Sequence, residues 1–205
     1  MKTVTFEAKT RDEAMKLATE ALRVQPDYIA LDIEEKKSML GFKKSYDVRA
    51  TVDVNLAELG LNTLQTLFDN MGVEATIDMK HPADDEITYT INTNENPVLI
   101  GKNGKTLDGI QYYIRNLLNV FTDHHVMVLC DIGGYKENRK RQLEILATKT
   151  AKEVARTKVE AKLDPMNAYE RRIIHTKLAE WRDVETKSVG EKPDRAIVIR
   201  PKNAR

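Results

Sequence analysis

The sequence predicts an α+β protein made of three small domains. Three observations carry that prediction. The hydrophobic period switches repeatedly between two and about 3.6, so short strands and helices alternate along the whole chain. The length of 205 residues suits two or three small domains or one large one. Charge is also partitioned, although the formal net charge is only +1. Residues 1–55 carry 10 basic and 10 acidic side chains, residues 56–132 carry 4 and 11, and residues 133–205 carry 19 and 11.

The first module predicts the order βαββ. Val4, Phe6 and Ala8 alternate with polar residues as a strand. Thr10 precedes Asp12-Glu13 and an apolar-periodic run through Ala14, Leu17, Ala18, Ala21 and Leu22, which reads as a capped amphipathic helix. Pro26-Asp27 breaks it. Residues 28–33 form a second strand, Lys36 to Phe42 a turn with an apolar tip, and Tyr46 to Val54 a third strand. At 54 residues this module sits at the low end for independent folding.

From Leu56 the pattern changes. Leu59, Leu61, Leu64, Leu67 and Phe68 mark a helix that Met71-Gly72 ends. Val73, Ala75, Ile77 and Met79 form a strand, His81 to Asp85 a turn, and Ile87, Tyr89 and Ile91 the paired strand. Asn94 to Ile100 is a short helical turn, with Pro97 near its start where a missing N–H costs nothing. Gly101-Lys102-Asn103-Gly104 follows. Leu107, Ile110, Ile114, Leu117, Leu118 and Phe121 then trace one face of a longer helix, and Val126, Val128 and Cys130 a last strand. The order is α-β-β-α-turn-α-β.

The last segment opens at Gly133-Gly134 with a long helix over residues 135–158. Leu143, Leu146, Ala147, Thr150, Ala151 and Val154 form its buried stripe, and basic residues load its other faces. A second helix runs from about Asn167 through Trp181. Residues 184–189 and 196–199 read as strands joined by a turn at 190–194.

Two motifs carry chemistry. In the Gly101–Gly104 turn, glycine lets backbone approach a phosphate with no Cβ in the way, and the next helix aims its N–H groups and positive dipole end there. Lys102, Asn103 and Lys105 complete this expected RNA-binding set, and Ile100 and Ile91 are expected to line a groove beside it. Taken alone, the tetrapeptide more often marks an ordinary corner between helices that holds no ligand. Its place in the αββααβ order favours the clamp of a type II KH domain, which holds single-stranded nucleic acid. The second motif is Arg171-x-x-x-His175. On a helix the two side chains stand one turn apart, where a forked guanidinium and an imidazole can share a phosphate. Arg172 and Arg182 are added to this nucleic-acid-binding set. Leu178 shares the stripe, so a half-buried structural His175 is the competing reading.

Other function classes find little support. Ser38, Ser45 and Ser188 sit in no nucleophile elbow. His124-His125 is expected on a strand, where neighbours point to opposite faces and chelate poorly. The single Cys130 offers no internal disulfide. No enzyme activity, metal or cofactor is expected. No apolar run approaches the ~20 residues of a membrane span, and a cytoplasmic protein is the default.

With these motifs placed, the chain resembles the bacterial Jag family, whose members are also called KhpB, EloR or SpoIIIJ-associated proteins. Three blocks carry the resemblance: Lys36 to Phe42, Leu99 to Asp108, and Pro165 to His175 continued by Thr186 to Glu191. Ala168 stands where the family pattern has proline. The resemblance implies a Jag-N module at 1–54, a type II KH domain at 56–132 and an R-three-H (Arg-x-x-x-His) domain, helices packed on a small sheet, at 135–201. It adds Lys36, Lys37 and Phe42 as contact residues of the Jag-N module. It further implies a non-enzymatic regulator that binds single-stranded RNA, or alternatively single-stranded DNA, and acts in cell elongation, division and cell-wall synthesis. A small single-KH-domain protein is the implied partner, with contact to a membrane insertase or to the elongation machinery. The alternative is a protein–protein scaffold for which RNA is incidental, favoured by the −7 charge of residues 56–132.

Overall fold

Alternating apolar residues lay down the first strand, and the described residues build three separate three-stranded sheets. The computed structural model describes residues 1–36, 45–83 and 85–202, which divide into two units, 1–133 and 134–205. Mixed α+β architecture is as the sequence predicts.

The first unit begins with β1 (Thr3–Ala8), α1 (Arg11–Leu22), β2 (Ile29–Lys36) and β3 (Ser45–Val52). The sheet order is β1-β3-β2, antiparallel throughout. Thr10 caps α1, its hydroxyl accepting from the Glu13 amide at 3.1 Å. Ala14, Ala18 and Leu22 face Val48, Ala50 and Val52, and all six are buried. Tyr28 lies in a short turn rather than in the expected strand, because Pro26 starts that turn and the strand begins only at Ile29. Lys36 extends from β2 to Glu7 of β1, with Asp47 of β3 at 3.6 Å. Those two carboxylates raise its pKa. Lys37 and Phe42 lie outside the described residues.

The same unit continues with α2 (Leu56–Met71), β4 (Ala75–Ala83), β5 (Glu86–Thr93), α3 (Asn96–Ile100), α4 (Lys105–Asn119) and β6 (Met127–Ile132). Asn55 caps α2 by accepting from the Ala57 and Glu58 amides, and Gly72 ends it in a left-handed conformation. The sheet order is β4-β5-β6. β4 is antiparallel and β6 parallel to the central β5, because the α3–α4 crossover returns the chain to the same end. Ile87, Tyr89 and Ile91 of β5 are buried, and the Tyr89 hydroxyl donates to the Ala57 carbonyl at 3.0 Å. Gly60 permits that approach, since a Cβ there would stand 2.0 Å from the tyrosine oxygen. Burial pushes the Tyr89 phenol pKa well up.

Two expectations for this region are corrected. β4 runs on through His81 to Ala83 past an irregular register at Lys80, so the turn is shorter than the His81–Asp85 reading. His124 and His125 lie in the loop before β6, where the Thr122 hydroxyl bonds the His124 carbonyl. The two sheets of this unit share an apolar cluster: Phe121 packs with Ala50 and Val52, and its ring meets Tyr28 edge-on at 5.1 Å.

The second unit holds α5 (Tyr135–Thr157), β7 (Ala161–Lys162), α6 (Ala168–Leu178), β8 (Val184–Val189) and β9 (Ala196–Pro201). The order β7-β9-β8 is antiparallel. Leu143, Ala147, Ala151 and Val154 of α5 meet Ile174 and Leu178 of α6 over Val184, Ile197 and Ile199. Leu146, expected in the stripe, is 40% exposed because it falls off the 143-147-151-154 line. The two-residue β7 is too short for any periodicity to announce.

Candidate nucleic-acid interface

The turn at Gly101–Gly104 is positioned from below by Leu99, which is fully buried and anchors α3. Gly101 has φ 69° and ψ −178°, a combination essentially confined to glycine. A Cβ at this position would stand 2.1 Å from Thr106 Oγ1. Asn103 takes the left-handed region at φ 54°, ψ 34°, which asparagine tolerates best among side-chain-bearing residues. Gly104, at φ 76°, then starts α4 without a side-chain cap. The turn holds itself by backbone bonds from the Gly101 amide to the Pro97 carbonyl (3.0 Å) and from the Gly104 amide to the Gly101 carbonyl (3.2 Å). Lys102 and Lys105 are exposed on either side. The result is a tight backbone turn with two exposed cations at the positive end of a 15-residue helix. Asp108 in the first turn of α4 opposes that field in part. Ile100 is half-buried at the loop, but Ile91 is wholly enclosed between sheet and helices and lines no groove.

The Arg171–His175 pair is built quite differently. Asn167 and Glu170 form a reciprocal capping box that starts α6 although Ala168, not proline, occupies the first helical position. Glu170 is buried and accepts from Arg139 Nε of α5 at 2.7 Å, fixing the helix start to its neighbour. One residue on, Arg171 points towards β8 and is only 9% exposed. Its Nη1 donates to Ser188 Oγ at 3.0 Å, while its buried Nε has no hydrogen-bond partner. Among the described residues no carboxylate pairs with this guanidinium. His175, one turn later, touches Thr186 Oγ1 through Nδ1 (2.6 Å) and Ser188 Oγ through Nε2 (3.2 Å). Burial, and then the adjacent Arg171 charge, lower its pKa, so the imidazole favours the neutral form.

The structure therefore brings Arg171 and His175 onto one polar seam and adds Thr186 and Ser188, which the sequence reading missed as partners. The signal was present: Val184, Thr186 and Ser188 alternate on β8, so the two hydroxyls share the face of a core valine. Arg172 does not join the seam; it is exposed on another face of α6. Arg182 does not join it either, because α6 ends at Leu178 and leaves Arg182 exposed in the following loop.

Known proteins are similar to this chain in sequence. Residues 141–201 match the R-three-H domain family, and the match spans the seam and its sheet. The RNA-binding protein KhpB of Clostridium symbiosum is 36% identical over 203 residues, covering 97% of this chain and 91% of that protein. The chain belongs to the KhpB family. Within it, the Bacillus subtilis RNA-binding protein KhpB is 28% identical over 205 residues, covering 97% of this chain and 98% of its own length. The Lactiplantibacillus plantarum protein of the same name is 35% identical over 136 residues, 66% of this chain and 42% of the relative. No helix among the described residues is long and apolar enough to cross a membrane.

Proposed function

We propose that this chain is a non-catalytic, RNA-binding regulator of the bacterial cytoplasm. It grips single-stranded RNA at the Gly101–Gly104 turn of a KH domain spanning 56–132. The R-three-H domain at 135–201 adds phosphate contacts at the Arg171–His175 seam. The module at 1–54 is the family's Jag-N part. The observation that carries this reading is the turn: glycine-only backbone, an uncapped helix start and two exposed lysines placed together inside the αββααβ order. Strand binding by stacking and backbone contact is what such a clamp suits. Because the two sites are covalently linked, each raises the effective concentration of the other along one strand. The family resemblance adds control of cell elongation and wall synthesis, a small single-KH partner, and contact with the insertase or elongation machinery.

Crosslinking and RNA sequencing in cells tests this. Lys102→Asp with Asn103→Asp puts two carboxylates on the loop, and crosslinks should fall at least tenfold. Equal recovery from wild type and variant would refute the clamp. A second reading, a protein scaffold with incidental RNA, draws on the −7 charge of residues 56–132, which repels phosphate. Its signature would be RNA retention insensitive to salt with stoichiometric co-purification of a protein partner.

A further inference from the structure

The basic surface of the second unit is not evenly spread. Arg141, Ile145, Thr148, Lys149 and Lys152 fall on one stripe of α5 and line an open hollow with Lys177 of α6. A second hollow, lined by Lys140, Tyr169, Arg172, Ile173 and Thr176, adjoins it. Glu144 and Lys177 border both, and their 3.6 Å ion pair marks the junction. Together the two hollows form one groove along the α5–α6 seam. Its walls carry six cations (Lys140, Arg141, Lys149, Lys152, Arg172 and Lys177) against one lining acid, Glu144. Two large apolar side chains stand open in it: Tyr169 is 62% exposed and Ile145 68%.

Helical spacing separates this groove from the Arg171–His175 seam. Tyr169, Arg172 and Thr176 lie at i, i+3 and i+7 on α6, whereas Arg171 and His175 project from the opposite side towards β8. We infer that the α5–α6 groove is a second nucleic-acid track of the same domain, where the lysines follow the phosphates of a single strand and Tyr169 stacks on a base. The proposal rests on the reading of this chain as an RNA binder and adds a separate surface to it. Charge complementarity selects a polyanion. An exposed tyrosine between cations adds a sequence-tolerant stacking platform, the combination that single strands use.

The test is binding of a labelled short oligouridylate to the full chain by fluorescence anisotropy at several salt concentrations. Lys149→Glu with Lys152→Glu should weaken binding about tenfold and flatten the salt slope by roughly 1 to 1.5, the share of two phosphates on a single strand. Tyr169→Leu should weaken binding about fivefold, the low end of base stacking, without changing that slope. Lys9→Glu with Lys16→Glu, an equal charge change in the first module, should leave affinity within twofold. If wild type binds no oligouridylate, the RNA reading fails and the groove with it. If wild type binds, and Lys102→Asp/Asn103→Asp weakens it while the groove variants do not, the groove proposal alone is overturned. Loss of binding to phosphatidylglycerol vesicles with RNA affinity intact would also overturn it, in favour of a lipid surface.

Discussion

The Gly101–Gly104 turn and the Arg171–His175 pair are both short motifs in α+β surroundings, yet they relate to the fold in opposite ways. The turn and the helix start after it offer two lysines to solvent, and main-chain bonds from the Gly101 and Gly104 amides hold its shape. The pair is turned inward, and most of its polar atoms already bond Thr186 and Ser188. One motif is an exposed surface held rigid by glycine geometry. The other is a seam joining helix to strand, holding a buried cation that no carboxylate among the described residues pairs with. Sequence spacing alone does not separate these roles, because both leave the same kind of four- or five-residue signature.

The largest effects should come from the supports. Glu170→Ala removes a capping box and leaves Arg139 without its partner, and should cost about 2–4 kcal/mol of stability in urea unfolding. Gly101→Ala forces a Cβ against Thr106 and a side-chain-bearing residue into glycine's conformation, costing about 1–3 kcal/mol. A melting temperature equal to wild type would show that the turn adopts another shape. Arg171→Met is the sharpest probe of the seam. It removes a buried charge that no carboxylate among the described residues pairs with, and Ser188 keeps His175 as a partner. Stability should therefore stay within ~1 kcal/mol of wild type or rise, while RNA binding weakens severalfold. A loss above ~3 kcal/mol, the range for breaking a buried polar pair, would make Arg171 a structural residue first.

The smallest effect concerns pH. His175 has a folded-state pKa below its ordinary value, so the unfolded chain binds more protons in the window between the two. Its neutral form supports the fold fully above about pH 6.5. Stability should decline as pH falls through the lowered folded value. His175→Asn should flatten that decline in urea midpoints taken across the window, and an unchanged profile would contradict the assignment. In Arg171→Met the decline should also shrink, since one of its two causes is gone.

Much of this architecture is readable from periodicity. Strand alternation at Val4–Phe6–Ala8 and Ile87–Tyr89–Ile91, and the helix stripe ending at Phe68, hold in the structure because each element is long enough for its buried face to repeat. β7 is not readable, having two residues and only edge pairing to β9. The end of α6 is misplaced by periodicity because Trp181 is apolar and half-buried, which continues the pattern after the helix has stopped at Leu178. At the sites, the glycine positions are evident because their conformation excludes other residues. Ile91 is misassigned because alternation places a strand residue on a face without revealing which helices cover that face. Thr186 and Ser188 escape notice for a related reason: alternation on β8 puts both hydroxyls on the face of Val184, but that Arg171 and His175 arrive there from α6 is not written in the strand itself.

The most direct test of RNA binding through the exposed turn is the affinity of the purified full chain for a single-stranded oligouridylate, wild type against Lys102→Asp/Asn103→Asp, with melting followed in parallel. Binding weaker by tenfold or more at an unchanged melting temperature is the predicted result, since Lys102 is exposed and Asp, like the half-buried Asn103 it replaces, tolerates the left-handed conformation of that position. Equal affinity in the two proteins would contradict it and leave the turn as a corner between helices.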